Sequence, residues 1–270
     1  MELSTLTEDG DKVMPAVSGR VGLALGGGAA RGGAHIGVIK ALEELEIPID
    51  VIVGTSAGSI VGALYSYGIE VSELQAAARQ ASWRTLVDFV FPRRGLVKAE
   101  GLEEFLRKKL NDSHFSDLQI PFAAVACDLL TGKEVVIRSG PIARAVAASC
   151  AVPGVFVPVE VDGMVMVDGG LVNNVPVSVI PQITSVDTII AVDLGSSSLV
   201  SVSQRPENIL DILIRSLDIV QSRAARMETK DADIVIQPEL GSYSLTDLRR
   251  ADDLFAEGHR AALKALRHLQ

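Results

Sequence analysis

The chain has 270 residues, 48% hydrophobic and 22% charged, which excludes a low-complexity or disordered polypeptide and provides for one sizeable core. A formal net charge of -9 and a pI near 5.0 exclude global attraction to nucleic acid or anionic membrane and leave only local patches for such contacts. Aromatic residues make up 4%, so Val, Ala, Leu and Ile must fill the interior, as in a buried sheet flanked by helices.

Residues 1–19 form a polar leader, expected to be poorly ordered and without the apolar segment of a signal peptide. Residues 20–270 read as one domain. Val21 to Leu25 is a strand running into three glycines. Gly33 to Glu46 then has helical periodicity, with Val38, Ile39, Leu42 and Leu45 on one stripe and Pro48 as the stop. Asp50 to Val53 is a second strand, followed by Gly54–Gly58 and a helix from Ser59 to Tyr67. Strand, helix, strand, helix with apolar strands is the pattern of a parallel α/β sheet. The uncharged stretch Val51–Ile69 approaches the length of a membrane span, but its glycines and serines fit a buried strand and helix better.

Residues 71–118 are predicted mostly helical, interrupted at Phe91-Pro92-Arg93-Arg94-Gly95; a mobile cap and a surface insertion are equally consistent with this pattern. Further strands are predicted at Phe122–Cys127, Glu134–Arg138, Met164–Val167, Thr188–Val192 and Asp233–Ile236, with helices from Asn208 to Glu228 and from Thr246 onward. Cys127 and Cys150 lack metal-ligand spacing and read as small core residues in a reducing compartment, so a cytoplasmic location is expected.

Gly54-Thr55-Ser56-Ala57-Gly58 joins a strand to a helix. A nucleophilic serine needs such a sharp turn, and glycines two residues to either side allow it. Alone, the pentapeptide is equally a glycine turn with a helix-capping serine. Gly26-Gly27-Gly28-Ala29-Ala30-Arg31-Gly32 also joins a strand to a helix, and its backbone amides suit a phosphate or an oxyanion. The dinucleotide pattern fails because the sixth position from Gly26 is Arg31, and no Gly-Lys-Ser/Thr completes a Walker loop. Gly26, Gly27, Gly28 and Arg31 are therefore candidate oxyanion-hole residues, and neither a cofactor nor a metal is expected.

The chain has four histidines, and none follows a strand, where a base is usually presented. His35 falls in the first helix, His114 in a polar loop, and His259 and His268 in the last helix. Asp168 does follow a strand and precedes Gly169-Gly170, which permit close approach to a hydroxyl. Asp128 and Asp193 also end strands but lack adjacent glycines, and read as structural.

Together these elements resemble the patatin-like phospholipase family, whose pattern is a glycine-rich oxyanion loop, Gly-x-Ser-x-Gly, then Asp-Gly-Gly. Similarity continues through Ala34-His35-Ile36-Gly37-Val38, Ala148-Ser149-Cys150-Ala151-Val152-Pro153-Gly154, Asn173-Asn174-Val175-Pro176 and Ala232-Asp233-Ile234-Val235-Ile236. The resemblance implies a three-layer α/β fold with a mostly parallel central sheet. It also implies a serine lipid-acyl hydrolase of phospholipase A, lysophospholipase or esterase type, with Ser56 as nucleophile, Asp168 as base and the amides of Gly27 and Gly28 as oxyanion hole. Arg31 matches the family's basic position, where it steadies the loop or meets a phosphate.

Two alternatives stand beside this reading: an α/β-hydrolase using His259 with Asp193, and a regulatory or adaptor protein that retains the fold. The expected partner is a lipid or lysophospholipid ester. Transient membrane contact through Phe89–Lys98, which combines apolar residues with three cations, is weighed against a solvated loop.

Overall fold

The computed structural model describes residues 17, 19–81, 88–89, 97–98, 100–195, 209–245 and 248–266. Its strands are β1 (Val21–Leu25), β2 (Val51–Thr55), β3 (Asp88–Phe89), β4 (Val97–Lys98), β5 (Phe122–Asp128), β6 (Glu134–Ile137), β7 (Val159–Val161), β8 (Met164–Asp168), β9 (Thr188–Val192) and β10 (Ile234–Ile236). The principal sheet runs β10-β9-β1-β2-β5-β8-β7, with β6 also on β5, while β3 and β4 pair separately.

The two-residue period of these strands divides their side chains between two apolar layers. Leu23, Leu25, Ile52, Ala124 and Ile190 join one buried cluster. Their neighbours Ala24, Val53, Val125 and Ala191 join the other. The first layer is closed by α1 (Gly33–Glu44), α2 (Ala57–Tyr67), α3 (Val71–Gln80), α4 (Glu100–Lys109), α5 (Ile142–Ser149) and the last helix, α8 (Ala251–Leu266). The second is closed by residues 175–180, including the start of α6 (Ile180–Ile183), and by Ala225 of α7 (Ile209–Glu228). Helices on both faces give the three layers that the family resemblance implied.

The strands β10, β9, β1, β2 and β5 are mutually parallel. β6 and β8 run antiparallel to β5, and β7 antiparallel to β8. Register reveals how this mixture places the site. Ala124 and Val125 pair with both β2 and β6, so those two strands lie on opposite edges of β5. Ala126 and Cys127 pair with both β6 and β8, so β8 also lies opposite β6. β2 and β8 therefore share one edge of β5, meeting end to end where β2 stops at Thr55 and β8 stops at Asp168.

Several boundaries depart from expectation. α2 begins at Ala57 rather than Ser59, because Ser56 itself stands at the N-cap position. The first helix ends at Glu44, with Glu46 in the left-handed region ahead of Pro48. The short β7 and the alanine-rich α5 are additional to the predicted elements. Within 71–118, α3 and α4 are helical. Most of the Phe89–Lys98 segment expected to touch membranes lies outside the described residues, as does His268. No described helix is long and apolar enough to cross a membrane, and Val51–Ile69 is the strand-and-helix pair β2–α2.

Candidate active site

Ser56 occupies a backbone conformation that an L-residue rarely adopts, with φ 51° and ψ -121°. Such strain at a strand-to-helix turn lifts a side chain clear of the sheet. The flanking glycines are required sterically. A Cβ on Gly54 would stand 2.6 Å from the Gly58 carbonyl carbon, and one on Gly58 would stand 2.1 Å from the Leu25 carbonyl oxygen.

The turn is held from outside. Ser56 N–H donates to Ser149 Oγ at 2.9 Å, and Ser149 Oγ–H donates to the Val125 carbonyl at 2.6 Å. Ser59 Oγ–H donates to the Ser56 carbonyl at 2.7 Å. Thr55 Oγ1 donates to the Asn173 carbonyl at 2.9 Å, tying the end of β2 to the loop beyond Asp168. Asp168 N–H in turn donates to the Ala151 carbonyl at 2.9 Å. The segment from Ser149 to Ala151 thus holds both Ser56 and Asp168.

Asp168 is 2% exposed and Ser56 8%. One carboxylate oxygen of Asp168 accepts from Gly170 N–H at 2.8 Å. Burial pushes the Asp168 carboxyl up to about 6, opposed by the Ser56 hydroxyl and the Gly170 amide, which favour the charged form. Ser56 and Asp168 line the same cavity. Gly169 permits the tight approach, since a Cβ there would stand 2.2 Å from the Val125 carbonyl oxygen.

The glycine loop faces the same spot. A Cβ on Gly27 would come within 3.4 Å of Ser56 Cβ. Its backbone amides divide into two sets. Gly26 N–H donates to the Val192 carbonyl and Gly27 N–H to the Asn174 carbonyl, both at 3.0 Å. Ala30 and Arg31 N–H donate to the carbonyls of Leu245 and Gly28. Gly28 and Ala29 have no such partner among the described residues, and both line the cavity that contains Ser56 and Asp168. The amides of Gly26 and Gly27 thus fix the loop, and those of Gly28 and Ala29 are the ones left to meet a ligand. The Arg31 guanidinium is 1% exposed and does not line that cavity. Its Nε and one terminal nitrogen donate to the Tyr243 carbonyl at 3.0 and 2.9 Å, and the other nears Asp218 at 3.8 Å.

Three supporting residues escaped the sequence reading of roles. His35 is fully buried, with Nε2 2.7 Å from the Gly26 carbonyl. Burial lowers its pKa to about 4, so the neutral ring donates to that carbonyl and steadies the loop. Ser149 is the bridge already described. Asn174 is 3% exposed and places Oδ1, which has no hydrogen-bond partner among the described residues, against Gly27. Only their occurrence beside the three main motifs marked these residues in the sequence.

The rival groups are accounted for elsewhere. Asp128 accepts from Thr131 Oγ1 at 2.6 Å and Leu130 N–H at 3.1 Å, which hold its carboxyl below its usual range and shape the β5–β6 turn. Asp193 accepts from Gly195 N–H at 2.9 Å and from Gln237 at 3.3 Å. His259 pairs with Glu44 at 2.7 Å. Glu44 ends α1, and neither residue of that pair lines the cavity that contains Ser56 and Asp168. Cys127 and Cys150 are free and buried. Burial and the nearby Asp168 push both thiols up, Asp128 adding to the effect at Cys127, so both stay protonated.

The cavity over Ser56 has a volume of about 50 Å³, and Asn174, Leu217 and Gln221 are among its other walls. A second cavity, of about 130 Å³, shares Ala29 with it and lies among α1, α2, α3 and α4. Its walls include Ile36, Ile60, Leu64, Leu74 and Phe105.

A strained serine turn, a buried aspartate and a glycine loop line one cavity at one end of the central sheet of a three-layer α/β protein. More specifically, the chain belongs to the patatin-like phospholipase family, whose model matches residues 23–180. It is 40% identical over 189 residues to an uncharacterized NTE family protein of Mycobacterium tuberculosis, covering 69% of this chain and 52% of that one. It is 31% identical over 280 residues to lysophospholipase NTE1 of Pyricularia oryzae, covering 93% of this chain but 18% of the relative. The chain thus spans about half or less of the length of these relatives. Among solved structures, VipD from Legionella pneumophila superposes with a TM-score of 0.51 at 14% identity, covering 91% of this chain and 67% of VipD. ExoU of Pseudomonas aeruginosa, in complex with SpcU, gives 0.50 at 15% identity, covering 94% of this chain and 53% of the matched chain. These likenesses concern the fold.

Proposed function

We propose that the protein hydrolyses carboxylic esters of lipids through a Ser56–Asp168 dyad, without a catalytic histidine. Asp168 carries the reading. It is buried, its pKa of about 6 lies close to neutrality, it lines one cavity with Ser56, and the Ser56 hydroxyl favours its charged form. Asp168 takes the hydroxyl proton as Ser56 Oγ attacks the ester carbonyl. The developing oxyanion is met by the amides of Gly28 and Ala29. Collapse expels the alcohol, which recovers the proton, and leaves an acyl-enzyme. Asp168 then deprotonates a water that attacks the acyl carbon; the bond from that carbon to Ser56 Oγ breaks, Asp168 returns the proton to Oγ, and the carboxylic acid leaves.

Two observations support a lipid as the acyl donor. The apolar cavity that shares Ala29 with the site suits a hydrocarbon chain rather than a polar group. Membership of the patatin-like phospholipase family points the same way. Turnover of p-nitrophenyl butyrate and of a lysophospholipid tests the proposal. Wild type is expected to cleave both, with Ser56→Ala and Asp168→Asn each losing nearly all activity. Equal turnover in the three proteins overturns it.

A further inference from the structure

Helix α7 is amphipathic in the reverse of the usual sense. Surface helices turn their polar face to water. Here Ile209, Ile212, Leu213, Ile219, Val220 and Met227 are exposed, from 36% for Leu213 to 85% for Ile209. At about 100° per residue they fall on one stripe. Ser216 lies within the stripe, but its hydroxyl donates to the Ile212 carbonyl at 2.7 Å and is withdrawn into the helix. The other face of the same helix carries Leu217, Gln221 and Ser222 into the wall of the Ser56 cavity. The patch also reaches the site by a second path. The Gly169–Leu171 turn packs against α7 and leaves Leu171 37% exposed.

We infer that this outward face of α7 is the surface on which the protein docks to an anionic lipid bilayer, bringing the helix that walls the Ser56 cavity to the membrane. The inference rests on the lipid-ester reading above. Contiguous exposed apolar surface of this kind marks a protein or membrane contact, and two features favour lipid. Arg223 and Arg226 are exposed at the C-terminal part of the stripe, and no ion pair to either is formed among the described residues. They supply the cationic rim that an anionic head-group layer attracts, on a chain whose net charge of -9 would otherwise be repelled. The helix that carries the stripe also walls, through its other face, the cavity that a membrane-held ester would have to enter. A second copy of this chain would gain nothing from that adjacency.

Sedimentation with vesicles tests the assignment, using phosphatidylcholine alone and phosphatidylcholine mixed with phosphatidylglycerol. The wild type is expected to bind the mixed vesicles more tightly. The double variant Ile212→Glu, Val220→Glu is expected to lose at least tenfold in binding and in turnover of vesicle-borne phospholipid, while p-nitrophenyl butyrate hydrolysis stays unchanged. Arg223→Gln with Arg226→Gln should lose the preference for phosphatidylglycerol alone. Vesicle binding that survives the glutamates overturns the inference. So does a dimer that the glutamates split without altering vesicle binding, which would assign the face to a second copy. Wild-type protein that binds vesicles through this face but cleaves neither ester counts against the hydrolase reading and leaves the docking surface standing.

Discussion

Asp168 stands beside Ser56 because β8 takes over the edge of β5 that β2 leaves at Thr55. Thr55 pairs with Val125, and Asp168 with the next residue, Ala126. Two residues distant in the sequence thus become neighbours along one strand edge. Strand register sets that spacing rather than loop flexibility, and Ser149 and Ala151 reinforce it from above. A rigid, dry placement is what a carboxylate needs to act as base on a hydroxyl.

The pH dependence of catalysis follows from Asp168. Its proton must be gone before it can accept another, so kcat/KM is expected to rise with pH through about 6 and then level off. A histidine base on the surface would respond differently to substitution: His259→Ala is expected to leave both the rate and the profile unchanged. Loss of activity in that variant would show that the pairing with Glu44 does not describe its role.

Stability and pH are linked through two buried groups with opposite signs. The Asp168 pKa rises from 3.8 to about 6 on folding, so stability is lost as pH climbs through that window. The His35 pKa falls from 6.5 to about 4, so stability is lost as pH drops through that window. Each effect is about 3 kcal/mol, at roughly 1.4 kcal/mol per pH unit, and they oppose each other between pH 4 and 6. Denaturant titration should show a stability nearly flat over that range in wild type. Asp168→Asn should be more stable than wild type at pH 7 and should fall steeply below pH 6.5. A wild-type-like slope in the variant would contradict the shift at Asp168.

Glycine substitutions should separate catalysis from folding. Gly27→Ala sets a methyl 2.4 Å from Asn174 Oδ1, a side-chain atom that can move, and 3.4 Å from Ser56 Cβ. We expect at least a tenfold loss of kcat with a Tm close to wild type. Gly58→Ala sets a methyl 2.1 Å from the Leu25 carbonyl oxygen, which is backbone. That variant is expected to lose about 3 kcal/mol or more, or to fail to fold. Thermal melts and ester kinetics on both proteins distinguish the outcomes.

Much of this was legible in the sequence, and the limits have physical reasons. The apolar runs marked most strands of the principal sheet and the long helices, and three glycine motifs marked Ser56, Asp168 and the loop at Gly26–Gly28. What the motifs did not disclose is which backbone amides remain free. Gly26 and Gly27 are consumed by Val192 and Asn174, partners far along the chain that no local pattern announces. His35 was passed over because a histidine on a helix gives no sign that its ring will reach back to Gly26. α5 was missed because it spans only eight residues, and β7 because it has only three. The outward face of α7 reads from sequence as an ordinary amphipathic helix; only its orientation shows the apolar side facing out.

Arg31 provides a test of positioning as against direct chemistry. Its guanidinium grips the Tyr243 carbonyl through two donors and reaches Asp218 on α7, so it braces the loop without facing the cavity. Arg31→Lys cannot reproduce the paired donors and is expected to destabilise the protein by about 1–3 kcal/mol. The residual folded enzyme should keep an unchanged pH profile. A shifted profile at full stability would place Arg31 in the reaction itself.

Labelling with a fluorophosphonate, followed by mapping of the modified peptide, tests the dyad most directly. The account predicts one modified residue, Ser56, with labelling abolished in Ser56→Ala, nearly lost in Asp168→Asn and retained in His259→Ala. Persistent labelling of Ser56→Ala, or labelling in Asp168→Asn at the wild-type rate, would contradict it.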